Sequence, residues 1–183
     1  MFETIDLFFL KDFIIIPKLI SKTLSFLGNI KIHLLVLLAI LCFDYLKKKT
    51  IDETKGWLSL NMLTVFCIFY VLKISVLRVR PYALSIDFDH ISLIQRLTCD
   101  FLHSFPSSHA ALCGLYCYFF RKSLTIKMLA VLITSERVLN HRHFFSDVLA
   151  GWVLSVLILM TMNRYRDKIW DKIKKGKFFN LPS

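Results

Sequence analysis

The chain has 183 residues, of which 56% are hydrophobic and 14% aromatic, with only 5 glycines; this is too apolar for an ordinary soluble domain of that length, and the bilayer is its natural solvent. The formal charge of +11 raises a nucleic-acid reading, but the basic residues sit mostly in connections between apolar runs, so the charge reports topology and contact with anionic lipid, with no nucleic-acid partner implied. Of the 5 cysteines only Cys99 falls outside an apolar run, which argues against a disulfide framework.

Residues 1–22 carry an apolar stretch interleaved with Lys11, Lys18 and Lys22, and they begin with Glu3 and Asp6 instead of a basic leader. They read as a span or as an interfacial helix, not as a cleaved signal peptide; of the first two we favour a span. Apolar runs follow at 32–45, 57–72, 110–120, 124–133 and 148–162. An all-α, polytopic helix bundle results, of about six spans near 8–28, 30–46, 57–78, 107–121, 124–140 and 146–163. Some runs are shorter than the roughly 20 residues that cross the hydrocarbon, so their polar shoulders lie near the interface or inside the bundle. Lys47, Lys48, Lys49 and Lys55 fill one connection, Arg121, Lys122 and Lys127 another, and residues 164–177 form a basic tail. The positive-inside rule makes all three cytoplasmic, with both termini inside. The connection 78–107, carrying Asp87, Asp89 and Asp100, then lies on the opposite face, and the ends of spans 3 to 6 meet there. Within it, Ile91, Ile94, Leu97 and Phe101 have the spacing of a short helix on the membrane surface. No repeat or flexible linker divides the chain, so residues 1–183 are one membrane domain, with 164–183 as a basic cytoplasmic tail.

Three clusters carry chemistry. Lys73 and Arg80 stand seven residues apart, two helical turns, so both cations project from about one face of the third helix before Pro81 ends it. The plainer reading is a lysine snorkelling to the interface beside a basic helix end. Pro106, Ser107, Ser108 and His109 open the fourth helix; free amides and serine hydroxyls there suit an oxyanion, and His109 can exchange a proton with it. Alternatively, this is a capping motif with an interfacial histidine. Arg137, His143 and Asp147 run from the fifth helix into the sixth. If His143 and Asp147 are both helical, their i, i+4 spacing lets the carboxylate accept from one ring nitrogen and leaves the other free as a nucleophile, beside an arginine fork suited to phosphate oxygens. An interfacial charge cluster, with Asp147 favoured by the helix dipole, is the competing view.

Together these residues resemble the type 2 phosphatidic acid phosphatase superfamily, whose site architecture is shared with the vanadium haloperoxidases. Its pattern of lysine, six residues, Arg-Pro is present as Lys73 to Pro81, its Pro-Ser-Gly-His as Pro106 to His109, and its arginine, histidine, aspartate element as Arg137, His143 and Asp147, followed by Val-Leu-Ala-Gly. The resemblance covers roughly residues 57–160 as a phosphatase core. Ser108 replaces the usual glycine, and Glu136 stands where serine is common, an extra carboxylate that weakens anion binding unless it points away.

The resemblance implies that His143 is the nucleophile forming a phosphohistidine, Asp147 its orienting partner and His109 the general acid. Lys73, Arg80, Arg137, Ser107 and the Ser108 amide would hold the phosphoryl oxygens. It implies no metal or other cofactor, and no obligate protein partner. A site at the outer leaflet of what would be a bacterial inner membrane implies a lipid phosphate or diphosphate: undecaprenyl diphosphate, lipid A phosphates, phosphatidylglycerol phosphate and phosphatidic acid are the candidates. Three alternatives stay open: a phosphotransferase with the same site, an anion-binding transporter, and a metal site built from His141, His143 and Asp147. His90 and His103 read as surface residues of the outer loop, His103 the likelier of the two to touch substrate, and Arg78 and Arg142 as solvated interface charges able to assist with the headgroup.

Overall fold

The structure is a computed structural model and describes residues 17–48, 52–84 and 92–175. Its helices form where the apolar runs lie, and most begin at a side chain that satisfies a free backbone amide. Helix α1 covers Lys18–Leu27 and α2 Ile30–Lys48; α3 is Glu53–Val76, α4 Leu93–Thr98, α5 Ser108–Phe119, α6 Leu124–Leu139, α7 Phe145–Arg164 and α8 Arg166–Lys175. Asp52 caps α3 by accepting from the Lys55 amide at 3.0 Å, and Ser123 accepts from the Ile126 amide at 3.4 Å at the start of α6. Ser92 and Gln95 form a capping box that opens α4, the short helix expected in the long connection.

By length and composition, the segments Glu53–Ala83 and Phe145–Arg164 can each cross a membrane. Helices α1 and α2 meet at a 47° bend and together pass the same test, as one broken span or a re-entrant loop. The expected first span thus contributes the short α1, and its residues 8–16 lie outside the described ones. Helix α5, at 12 residues and about 18 Å, is too short to cross the roughly 30 Å hydrocarbon alone, as the short runs suggested.

Helix α5 is the centre of the bundle, packed most extensively on α7 and α6. Met62, Val65 and Phe69 of α3, Ala111, Leu112 and Leu115 of α5 and Leu159 of α7 make the main core. Side chains such as Leu132, Val153, Leu157 and Met160 are exposed on the outside of the bundle, the arrangement a hydrocarbon solvent favours. Close approach of α5 and α7 depends on Gly151, where a Cβ would lie 2.6 Å from the Ser107 carbonyl oxygen. At the end away from the long connection, α8 packs back on α3: Trp170 meets Trp57 edge to face at 6.4 Å, and Arg166 lies 3.4 Å from Glu53.

The α1–α2 elbow is fastened to α5 by one imidazole. His33 Nε2 donates to the Leu27 carbonyl at 2.8 Å, so its Nδ1 accepts from the Tyr116 hydroxyl at 2.7 Å. This brings α1 to the same end of the bundle as the α6–α7 turn.

Candidate active site

At that end three segments are laced together by main-chain hydrogen bonds. The Arg80 amide donates to the Phe101 carbonyl at 2.8 Å, the Ser104 amide to the Arg78 carbonyl at 2.9 Å, and the Tyr82 amide to the His141 carbonyl at 3.2 Å. Between them opens a cavity of about 360 Å³ lined by Lys73, Arg80, Ser108, His109, Arg137 and His143. Ser107 and Asp147 are fully buried behind this wall.

His143 owes its position to the way α6 stops. Its last turn closes with the Asn140 amide on the Glu136 carbonyl at 3.0 Å, and His141 takes a left-handed conformation, φ 52°. The reversed chain then directs the Arg142 and His143 amides onto the single carbonyl of Arg137, at 3.0 and 3.1 Å. His143 is therefore in the turn before α7, not in a helix. Its Nδ1–H donates to the Ser104 carbonyl at 2.7 Å, while the Asp147 carboxylate stands 3.7 Å away. A direct hydrogen bond from the ring to Asp147, expected from helical spacing, is thus replaced by one to the main chain, because only Asp147 of the pair is helical. With Nδ1 committed as donor, the neutral ring keeps its lone pair on Nε2. Burial, opposed by Asp147 and reinforced by Arg80 and Lys73, lowers the His143 pKa to about 4, so the ring is neutral at neutral pH.

Asp147 is held from three directions. It accepts from Arg78 Nη1 at 2.7 Å, from the Ser104 hydroxyl, and from the Phe144 amide at 3.0 Å as a helix-capping acid. Arg78, half-buried and held by Asp147, also donates to Ser146 at 2.7 Å and lies 4.1 Å over the Phe144 ring.

The cations reach the cavity by different routes. Helix α3 ends at Val76 because Leu77 turns left-handed, φ 47°, and the chain then runs extended toward Pro81. Arg80 therefore does not share a helical face with Lys73. It enters from the extended segment, where it is buried and donates to the Asp100 carbonyl at 2.8 Å, the Asp100 carboxylate at 3.0 Å and the Arg142 carbonyl at 3.2 Å. Lys73 Nζ donates to the His103 carbonyl at 2.8 Å. His103 lines the cavity instead of the outer surface, and burial with the nearby Lys73 lowers its pKa. Arg137 is buried and paired with Glu136, which does not point away: Glu136 also accepts from Ser21 of α1 at 2.7 Å and from Asn140 at 2.6 Å.

Ser107 is the N-cap of α5, its hydroxyl accepting from the Ala110 amide at 3.5 Å, and Ser108 is the serine that faces the cavity. His109 donates Nε2–H to the Ser25 carbonyl of α1 at 3.1 Å, and Arg137 donates to the Ser25 hydroxyl at 3.2 Å. Gly28 is where the elbow touches the same ring: a Cβ there would lie 2.6 Å from His109 Cδ2. Among the described residues no three histidine, cysteine or carboxylate side chains are grouped as metal ligands would be. Three cations, a hydrogen-bearing imidazole and an imidazole with a free lone pair around one cavity form an arrangement able to hold and transfer a phosphoryl group.

Residues 54–171 match the family described as the PAP2 superfamily. The chain belongs to that superfamily. In fold it is similar to a solved structure described as the first transmembrane PAP2-type phosphatidylglycerolphosphate phosphatase from Bacillus subtilis, at 26% identity and a TM-score of 0.61, over 92% of this chain and 85% of that one. No curated protein matches the chain significantly. Family and neighbour together point to a phosphatase hydrolase embedded in a membrane. For this PAP2 chain, motif reading passed over Ser104, took Arg78 only for a solvated charge able to assist with the headgroup, and passed over Ser25. The first works through its carbonyl and hydroxyl, the second sits between two motif cations, and the third lies before the matched region, so none carries a spacing signal.

Proposed function

We propose that this PAP2 protein is a metal-independent lipid phosphate phosphatase that works through a phosphohistidine on His143. The observation that carries the reading is the committed Nδ1–H of a neutral, buried His143 in the wall of the cavity that Lys73, Arg80, Arg137 and His109 also line. In the first step Nε2 of His143 bonds to phosphorus and the bond from phosphorus to the leaving oxygen breaks, while His109, entering the step as imidazolium, gives one proton to that oxygen and is left neutral. In the second step His109 takes a proton from water, the hydroxide bonds to phosphorus, and the P–N bond breaks to release orthophosphate. Lys73, Arg80, Arg137 and the Ser108 amide neutralise the phosphoryl oxygens throughout, the part a divalent ion has in other phosphoryl transfers. Asp147, through Ser104 and by its own charge, steadies the imidazolium that forms.

The substrate follows from the solvent. A cavity at the end of a membrane bundle, with Phe66, Phe69 and Tyr70 on one wall, fits a headgroup at the interface whose chains stay in the bilayer, as the phosphatidylglycerolphosphate named for the Bacillus subtilis neighbour would. The basic connections support a site on the periplasmic or exterior side of the membrane, with the termini cytoplasmic; in this reading the membrane is a bacterial inner membrane. Rapid acid-free quench of purified protein with phosphate-labelled lipid tests the mechanism. Label should appear on His143, survive alkali and be lost in acid. Turnover without any labelled histidine would reject the covalent route, and label passed to a lipid acceptor instead of water would make the protein a phosphotransferase.

A further inference from the structure

Besides Asp147, a second carboxylate stands behind the cavity: Glu136 of α6, only 1% exposed. Both of its oxygens are taken. Oε1 accepts from the Ser21 hydroxyl at 2.7 Å and from the Asn140 side-chain amide at 2.6 Å, and Oε2 accepts from Nε and Nη2 of Arg137. Asn140 also donates to the Ser21 oxygen at 2.9 Å, which closes a ring of three polar side chains between α1 and the end of α6. A carboxylate held in this way cannot swing aside when an anion enters the cavity. Arg137 lines that cavity and Glu136 does not, so the guanidinium stands between the two. Glu136 takes its N–H bonds along one edge, and the Ser25 hydroxyl takes one from Nη1 at 3.2 Å. One N–H on each terminal nitrogen is left for an anion.

A buried arginine needs an acceptor, so the plain reading of Glu136 is a structural counter-charge. The other two cations of the cradle, however, are held without a buried carboxylate. Lys73 donates to the His103 carbonyl, and Arg80 to two carbonyls and to the exposed Asp100. A full buried charge behind Arg137 does more than burial demands. An anion on Arg137 is separated from Glu136 by one planar group, and away from water charges that close repel strongly. The repulsion falls unequally on substrate and product. A lipid phosphate has its chains in the bilayer to hold it in place, whereas orthophosphate, once the P–N bond breaks, has only the cations.

We propose that Glu136 is a positioning residue for product release: acting through Arg137, it keeps the affinity of the cradle for free orthophosphate low enough for the product to leave. The inference rests on the phosphatase reading above. It assigns one step of that reaction to a residue that touches neither the substrate nor the reacting atoms.

The test measures inhibition by inorganic phosphate of phosphatidic acid hydrolysis, with the full-length protein in bilayers. Glu136→Gln keeps an acceptor for Arg137 and loses the charge, so its inhibition constant should fall about tenfold or more. Glu136→Asp keeps the charge and should stay close to the wild-type constant. Removing a residue that merely shapes the site would loosen phosphate instead. An unchanged or raised constant in Glu136→Gln therefore overturns the proposal and leaves the phosphatase intact. Thermal unfolding reads the same difference without turnover: inorganic phosphate should raise the midpoint of Glu136→Gln more than that of the wild type, and an equal or smaller rise overturns the role. Should Glu136→Gln fail to fold, the wild type decides alone, since millimolar inhibition by inorganic phosphate supports the role and micromolar inhibition overturns it. A wild type that releases no orthophosphate from phosphatidic acid or phosphatidylglycerol phosphate overturns the phosphatase reading, and the release role with it.

Discussion

The two sides of the cavity are built on different principles. The floor around Asp147 is closed and over-determined: one carboxylate with no exposure takes hydrogen bonds from Arg78, Ser104 and Phe144, and the same Ser104 fixes His143. The roof made by α1 has no fully buried residue and is attached through hydroxyls and a carbonyl, Ser21 to Glu136 and Ser25 to Arg137 and His109. A reacting group needs a geometry that cannot relax, whereas a wall that admits a substrate needs contacts that exchange readily. Substitutions on the floor should therefore cost both rate and stability, and removal of a single roof hydroxyl little of either.

Replacing His143 with alanine should lower kcat by about 10⁴-fold or more, as removal of a nucleophile does elsewhere; measurable turnover near the wild-type rate would take the nucleophile role from it. Asp147→Ala strands Arg78 and the Phe144 amide, and thermal unfolding should report a loss of about 3–5 kcal/mol, the range for breaking a buried ion pair. The pH profile offers a third way to sharpen the contrast. A pKa of about 4 for His143, below the ordinary 6.5, keeps its free base down to that pH, so the acid limb of kcat/KM that this ring sets should fall near pH 4. The same shift means that the unfolded chain binds this proton first as pH drops from 6.5 toward 4. Its contribution to stability is present above that window and is lost across it. An acid limb at 6.5 would contradict the closed floor. Ser104→Ala removes the hydroxyl from Asp147 but leaves the carbonyl on His143, so kcat should fall only about tenfold, the equivalent of one hydrogen bond. Smallest of all, Ser21→Ala on the roof should change stability by no more than about 1 kcal/mol, since Asn140 still serves Glu136; a loss as large as that of Asp147→Ala would erase the distinction between the two sides.

Much of this was legible in the order of the residues. Apolar runs located the helices because a membrane core demands them, and Lys73, Arg80, His109, Arg137 and His143 do line one cavity. Where the reading failed, local backbone geometry had intervened. Helical spacing could not foresee that Leu77 would turn left-handed and deliver Arg80 from an extended segment, or that His141 would do the same and leave His143 outside α7. Ser104, and the hold of Arg78 on Asp147, were missed for another reason. Their partners lie some 40 to 70 positions away, and a main-chain carbonyl leaves no trace in residue identity.

The elbow at Gly28 bears on any attempt to shorten or recombine this protein. The segment matching the superfamily starts at residue 54, so a fragment cut to it would retain every motif side chain and lose Ser25 and Gly28, the two positions that press on the His109 ring. Chimaeras that exchange the first two helices between superfamily members should accordingly be joined with this contact matched on both sides, since the donor helix carries part of the acid's setting with it.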